Sequence, residues 1–180
     1  MLVVFAGLPG TGKSTLAQAL SAVIHGVVLD KDAIRAALFP PEAIEYSTRQ
    51  DDFCISVMLQ TAKYLFDREP ARIIILDGRP YAQRYQVDEI VKFCGENGYP
   101  LRLIECICAP EIAEERLRQA SAAQAHVARN RDPNMYRAMR DRAEPIQAPH
   151  LIVDTGDALE TCIQRCRIYL AAETTEMDET

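Results

Sequence analysis

The stretch Leu2-Val-Val-Phe-Ala-Gly-Leu-Pro-Gly-Thr-Gly-Lys-Ser-Thr15 joins a continuously apolar run to a glycine-rich loop and then to helix-forming sequence. Apolar residues at successive positions predict a strand covered on both faces, as in a parallel sheet. Gly7-x-x-x-x-Gly12-Lys13-Ser14 is the phosphate-loop pattern, and it has the strand before and helix after that its chemistry needs. Glycines let backbone N–H groups turn inward around phosphate oxygens, and the following helix adds the positive end of its dipole. Gly7, Gly10, Thr11, Gly12, Lys13, Ser14 and Thr15 are therefore read as nucleotide-binding. Lys13 is expected to reach the β- and γ-phosphates, and Ser14 to ligate Mg²⁺.

Outward from this loop the pattern alternates strand and helix. Strands are predicted at 26–30, 72–77, 101–108 and 150–155, and helices at 13–24, 31–39, 49–68, 82–97, 111–120, 135–143 and 158–172. Pro40 and Pro41 stop the second helix, Gly98 and Pro100 end the fourth, and Pro110 opens the fifth. Repeated βα units predict an α/β, three-layer phosphate-loop NTPase fold: a five-stranded parallel sheet with helices on both faces. One domain over 1–172 is expected, followed by a frayed acidic tail at 173–180.

Composition narrows the classes further. The net charge is −6, of which the tail carries four acidic residues, so the rest of the chain is only mildly acidic. No apolar run approaches the ~18 residues of a membrane span. No charged segment precedes the first strand, and a cytoplasmic protein is the expectation. Residues 116–142 hold seven arginines against two aspartates, read either as a solvated helical face or as a site for phosphates. The six cysteines read as reduced core residues, although Cys106, Cys108, Cys162 and Cys166 would suit zinc if their faces met. His25, His126 and His150 have no metal-ligand spacing. An N-K-x-D string for guanine is missing, which leaves ATP as the expected nucleotide.

In a doubly wound sheet the chemistry lies just after the strands. Asp30-Lys31-Asp32 follows the second strand and Asp77-Gly78-Arg79 the third. Asp77 holds the position of an aspartate in the Mg²⁺ shell. Asp32 is a carboxylate suited to orient an attacking hydroxyl and accept its proton, with Arg35 on the same helical face. Read on spacing alone, the pair serves equally as a helix cap with an exposed arginine.

The phosphate loop, D-x-D-x-x-R after the second strand, "IIILDG", and an arginine-bearing segment before "LIVDT" together resemble one group of small P-loop kinases. That group includes the polynucleotide 5′-hydroxyl kinase domains, the chloramphenicol phosphotransferases and the zeta-toxin-like kinases, within the AAA-type ATP-binding kinases. The resemblance runs from Leu2 to about Leu170. It implies that Asp32 is the general base, with Asp30 the competing assignment, and that Arg35 contacts acceptor or phosphate. It also implies an arginine-bearing lid at "HVARNRDP", with Arg129 and Arg131 as catalytic arginines. Arg116 is implied to stack on adenine, and Thr155 to lie near the base. Arg79, Tyr81 and Arg84 fall where the acceptor would enter, although a salt bridge to a neighbouring helix is an equal reading of Arg79.

The resulting expectation is an ATP- and Mg²⁺-dependent phosphotransferase acting on a hydroxyl. A small-molecule or nucleotide-like acceptor is favoured over a nucleic-acid 5′-end, because no tryptophan and few aromatics are present to form a stacking platform. The alternatives are a polynucleotide kinase, a zeta-like toxin, and an ATPase or switch without an acceptor.

Overall fold

The computed structural model describes residues 1–122 and 133–172, and Arg129, Arg131 and the acidic tail lie outside them. In chain order the elements are β1 (Leu2–Ala6), α1 (Lys13–Ile24), β2 (Val27–Asp30), α2 (Lys31–Leu38), α3 (Thr48–Arg68), β3 (Ile74–Asp77), α4 (Arg84–Asn97), β4 (Leu101–Ile107), α5 (Pro110–Ala122), α6 (Pro133–Arg140), β5 (His150–Asp154) and α7 (Leu159–Ala171). A single 3₁₀ turn, Pro41–Ala43, lies between α2 and α3. The strands form one parallel sheet in the order β2-β3-β1-β4-β5.

β1 is central and wholly buried, as its unbroken apolar run requires. Its side chains alternate across the sheet. Leu2, Val4 and Ala6 join Ile55, Met58, Phe66 and Ile90 from α3 and α4 in one core. Val3 and Phe5 join Leu16, Leu20, Cys162 and Cys166 from α1 and α7 in the other. The sheet is thus a three-layer sandwich with the phosphate-loop NTPase architecture.

Element ends shift where local capping decides them. Ser47 caps α3 by accepting from Gln50 N at 3.2 Å. A reciprocal box between Gln83 and Gln86 moves the start of α4 to Arg84 rather than Ala82. Among the described residues α6 already includes Pro133, two residues before the predicted Met135.

The cysteines pack as core residues. Cys106, Cys162 and Cys166 share the α1/α7 core, whereas Cys108 sits beside the small cluster of Ala113, Leu117 and Tyr136. Burial pushes the Cys106 and Cys166 thiols up to about 12, which opposes the thiolate form that zinc needs. Among the described residues no group of histidine, cysteine or carboxylate side chains has a metal-binding arrangement.

Gly7 leaves β1 with φ 127°, and a Cβ there would lie 2.2 Å from the Cys106 carbonyl oxygen on β4. Gly7→Ala is therefore expected to cost about 3 kcal/mol in urea unfolding, through a strained backbone and a forced separation of the loop from β4. An unchanged midpoint would contradict this packing.

Candidate active site

The loop after β1 is held from several sides. Gly7 N donates to Pro80 O at 2.9 Å, which ties it to the segment after β3. Thr11 Oγ1 and Lys13 Nζ donate to Leu8 O at 2.7 and 2.8 Å, so the lysine folds back over its own loop. Gly12, at φ 75°, starts α1. Ser14 is half-buried and Thr15 exposed at the helix start.

A cleft of about 430 Å³ opens on one side of this loop, lined by Gly10, Gly12, Lys13, Ser14, Thr15, Arg116 and Thr155 with their neighbours. Arg116 Nη1 donates to Thr155 Oγ1 at 3.0 Å, and Nη2 donates to Thr155 O at 2.8 Å. Thr155 Oγ1 donates in turn to Thr11 O at 2.8 Å. Arg116 thus clamps the loop after β5 to the phosphate loop, with its hydrogen-bonding edge committed to that contact.

A second cleft, of about 580 Å³, opens on the other side, and Lys13 lines both. Asp32 and Arg35 lie in this larger cleft, from the first two turns of α2. Both are buried, with Arg35 only 2% exposed. Arg35 Nη1 donates to Asp32 Oδ1 at 2.6 Å, and Nη2 donates to Asp51 Oδ1. Lys31 Nζ donates to the same Asp51 oxygen at 2.8 Å and stands 3.5 Å from Asp32 Oδ1. The Tyr46 ring lies 5.1 Å from the Arg35 guanidinium. Arg35 is thereby a holder of Asp32.

Asp30 does something else. Its side chain accepts from Ala33 N at 2.6 Å and caps α2, and burial pushes its carboxyl above the usual range. It does not line the larger cleft, whereas Asp32 does.

Asp77 is 1% exposed, and neither of its carboxylate oxygens has a hydrogen-bond partner among the described residues. An unpaired buried carboxylate is costly unless something compensates it. Its carboxylate oxygens are hard donors, of the kind that suits Mg²⁺. Gly78 follows at φ 95°, where a Cβ would lie 2.9 Å from Lys31 Cβ, so the end of β3 is pressed against the start of α2.

The three residues expected at the acceptor entrance lie elsewhere. Arg79 is 1% exposed and paired with Asp52 of α3; its Nη2 donates to Tyr85 Oη at 3.2 Å, and Nη1 lies 3.9 Å from Glu89. The salt-bridge alternative describes it, because α3 and α4 close over the side chain. Tyr81 is buried in the α3/α4 core, and burial raises its phenol well above the usual range. Arg84 is exposed and pairs with Asp88 at 3.6 Å. None of the three lines the cleft.

The walls are instead supplied by Tyr46 and Asp51, by Gln83, Tyr85 and Gln86, and by Met135, Met139 and Arg142. No motif marks these residues. Asp51 reads in sequence as an ordinary acid in the first turn of α3, behind the Ser47 cap. The one available signal was its position on a helix that follows the β2–α2 unit.

Sheet order, loop and flanking clefts define the P-loop NTPase fold. The "AAA domain" family model, AAA_33, matches residues 2–146, and the chain belongs to that family. Solved structures of similar fold include the APS kinase CysC of Mycobacterium tuberculosis in complex with AMPPNP and APS (TM-score 0.71, 17% identity, 95% of this chain and 97% of that chain). Others are a gluconokinase from Sinorhizobium meliloti (TM-score 0.65, 13% identity, 93% of each chain) and Chaetomium thermophilum Kti12 in complex with ADP-AlF3 (TM-score 0.65, 14% identity, 96% and 100%). At these identities the likeness is one of fold. No curated protein matches the sequence. No helix among the described residues is long and apolar enough to cross a membrane.

The burial of Arg79 makes it a stability residue. Arg79→Met is expected to cost about 2 kcal/mol in chemical denaturation, less than a fully buried pair because Asp52 and Glu89 are 40% exposed. Arg84→Ala is expected to stay within about 0.5 kcal/mol of wild type. Equal effects of the two would show that Arg79 is not the interior tie described.

Proposed function

We propose that this protein is a kinase that transfers the γ-phosphate of ATP to a hydroxyl of a small-molecule or nucleotide-like acceptor. The observation that carries the reading is the shared position of Lys13, which faces both the phosphate-loop cleft and the cleft holding Asp32. A nucleotide in the first cleft would present its terminal phosphate at Lys13, and a hydroxyl in the second would approach it beside Asp32. A switch or simple ATPase has no need of the second cleft or of a buried carboxylate held by two cations.

In this reading the acceptor oxygen forms a bond to the γ-phosphorus as the bond from that phosphorus to the β–γ bridging oxygen breaks. ADP leaves, and the hydroxyl proton passes to Asp32. Lys31 and Arg35 hold the Asp32 carboxylate in place, which limits the reorganisation needed during transfer. Lys13 and backbone N–H groups of the loop stabilise charge on the phosphates. Ser14 and Asp77 would hold Mg²⁺, whose role is to neutralise charge on the phosphate oxygens. Arg116 and Thr155 would border the base, and Arg129 and Arg131 would cover the phosphates.

Asp32→Ala and Asp32→Asn are expected to lower transfer about a thousandfold while leaving ATP affinity within about twofold. Lys13→Ala is expected to damage both. The test is ADP release with ATP and Mg²⁺ across hydroxyl acceptors, including nucleosides, sugars and a 5′-hydroxyl oligonucleotide, with nucleotide affinity measured in parallel. Transfer that persists unchanged in both Asp32 variants would remove Asp32 as the base. Slow ADP release that no acceptor raises would favour an ATPase.

A further inference from the structure

Charges on the larger cleft are not used equally. Its described lining holds two carboxylates, Asp32 and Asp51, and four cations, Lys13, Lys31, Arg35 and Arg142. The carboxylates are already engaged by Lys31 and Arg35. A cationic group entering the cleft would therefore compete with two buried internal cations for both acids. Lys13 is directed to the phosphate loop through its bond to Leu8 O.

Arg142 differs. Among the described residues its guanidinium has no hydrogen-bond or ion-pair partner, although its backbone is well anchored. Arg142 O accepts from Gln83 Nε2 at 2.9 Å, and Arg142 N donates to Met139 O at 3.2 Å. Two residues on, Glu144 N donates to Ala82 O at 2.9 Å, and the Glu144 carboxylate accepts from Arg84 N at 2.6 Å. The chain after α6 is thus stitched to the segment before α4, and this fixes where Arg142 emerges into the cleft. Beside it the wall is apolar or aromatic: Met135, Ala138 and Met139 of α6, with Tyr46 and Tyr85. Tyr46 is held at φ 49°, a conformation that costs a non-glycine residue energy and recurs at ligand-binding sites.

We infer that this cleft takes an anionic hydroxyl compound, its negative group bound by Arg142 and its body packed against the tyrosine and methionine side chains. The inference rests on the kinase reading for the hydroxyl of that compound, but the charge preference itself is a binding property. A guanidinium pairs with carboxylate, sulfate or phosphate through two parallel N–H donors, and Arg142 is an exposed residue of the cleft lining, open to such a pair. Cationic amino alcohols and amino sugars are correspondingly disfavoured, because the acids they would need are occupied.

Three probes that share a ring and a hydroxyl separate the possibilities: 4-(hydroxymethyl)benzoate, 1,4-benzenedimethanol and 4-(hydroxymethyl)benzylamine. Calorimetry on the full chain, with AMPPNP and Mg²⁺ present to fill the nucleotide side, gives their affinities in wild type, Arg142→Ala and Arg142→Lys. The benzoate is expected to bind about tenfold more tightly than the neutral alcohol, and the amine most weakly. Arg142→Ala should erase that preference while leaving AMPPNP affinity unchanged, and Arg142→Lys should keep part of it. Equal or tighter binding of the alcohol or amine, no binding of the benzoate at millimolar concentration, or a preference that survives Arg142→Ala would each overturn the inference. Anion preference without phosphoryl transfer to any acceptor would count against the kinase reading alone. Transfer to a neutral or cationic acceptor, unaffected at Arg142, would count against this inference alone.

Discussion

A single carboxylate oxygen organises the centre of this molecule. Asp51 Oδ1 on α3 accepts from both Lys31 and Arg35 of α2, and those same two cations flank Asp32. Four charges so placed must satisfy one another, since an unpaired one would carry a desolvation penalty of several kcal/mol. The position of α2 relative to α3 follows from that requirement. So does the setting of Asp32, which has little freedom to rotate away from the cleft. Gly78 extends the constraint to the sheet, because only a residue without Cβ lets the end of β3 approach Lys31 so closely. Asp77, whose carboxylate has no hydrogen-bond partner among the described residues, and Asp32, whose carboxylate is held, therefore flank one close contact between the end of β3 and the start of α2.

Much of this was legible in the sequence, for specific reasons. The apolar run of β1 and the phosphate-loop spacing sit together within fourteen residues, so local chemistry alone identifies them. Alternation of strand and helix then dictates a parallel sheet, and parallel sheets carry their chemistry at strand ends. Asp30, Asp32 and Asp77 stand out in the sequence as candidates for that reason. Asp30 and Asp32 differ in the fold in a way their sequence does not show: one caps its helix and the other lines the larger cleft.

What was not legible arises from contacts between distant segments. Asp51 looks like any acid near a helix start until α3 is packed on α2. Arg142 looks like one arginine among seven until its backbone is seen tied to Gln83. Arg79, whose two readings are equal in the sequence, is decided by the same kind of contact. An arginine after a strand-ending Asp-Gly reads as a site residue, and only the closure of Asp52, Tyr85 and Glu89 around it turns it inward. The arginines grouped between 116 and 142 likewise serve separate ends: Arg116 clamps the phosphate loop, Arg137 pairs with Glu114 at 2.5 Å, and Arg142 faces the larger cleft.

The meeting of two clefts at one lysine has an evolutionary consequence. The smaller cleft is built from the phosphate loop, α1, α5, the loop after β5 and α7, whereas the far walls of the larger one come from the α2–α3 connection, the start of α4 and α6. Because the two sets of residues share little beyond Lys13, drift in one leaves the other intact. A lineage carrying this scaffold is free to exchange Tyr46, Tyr85, Met135 or Arg142 and acquire a new partner molecule, without renegotiating how it holds phosphate.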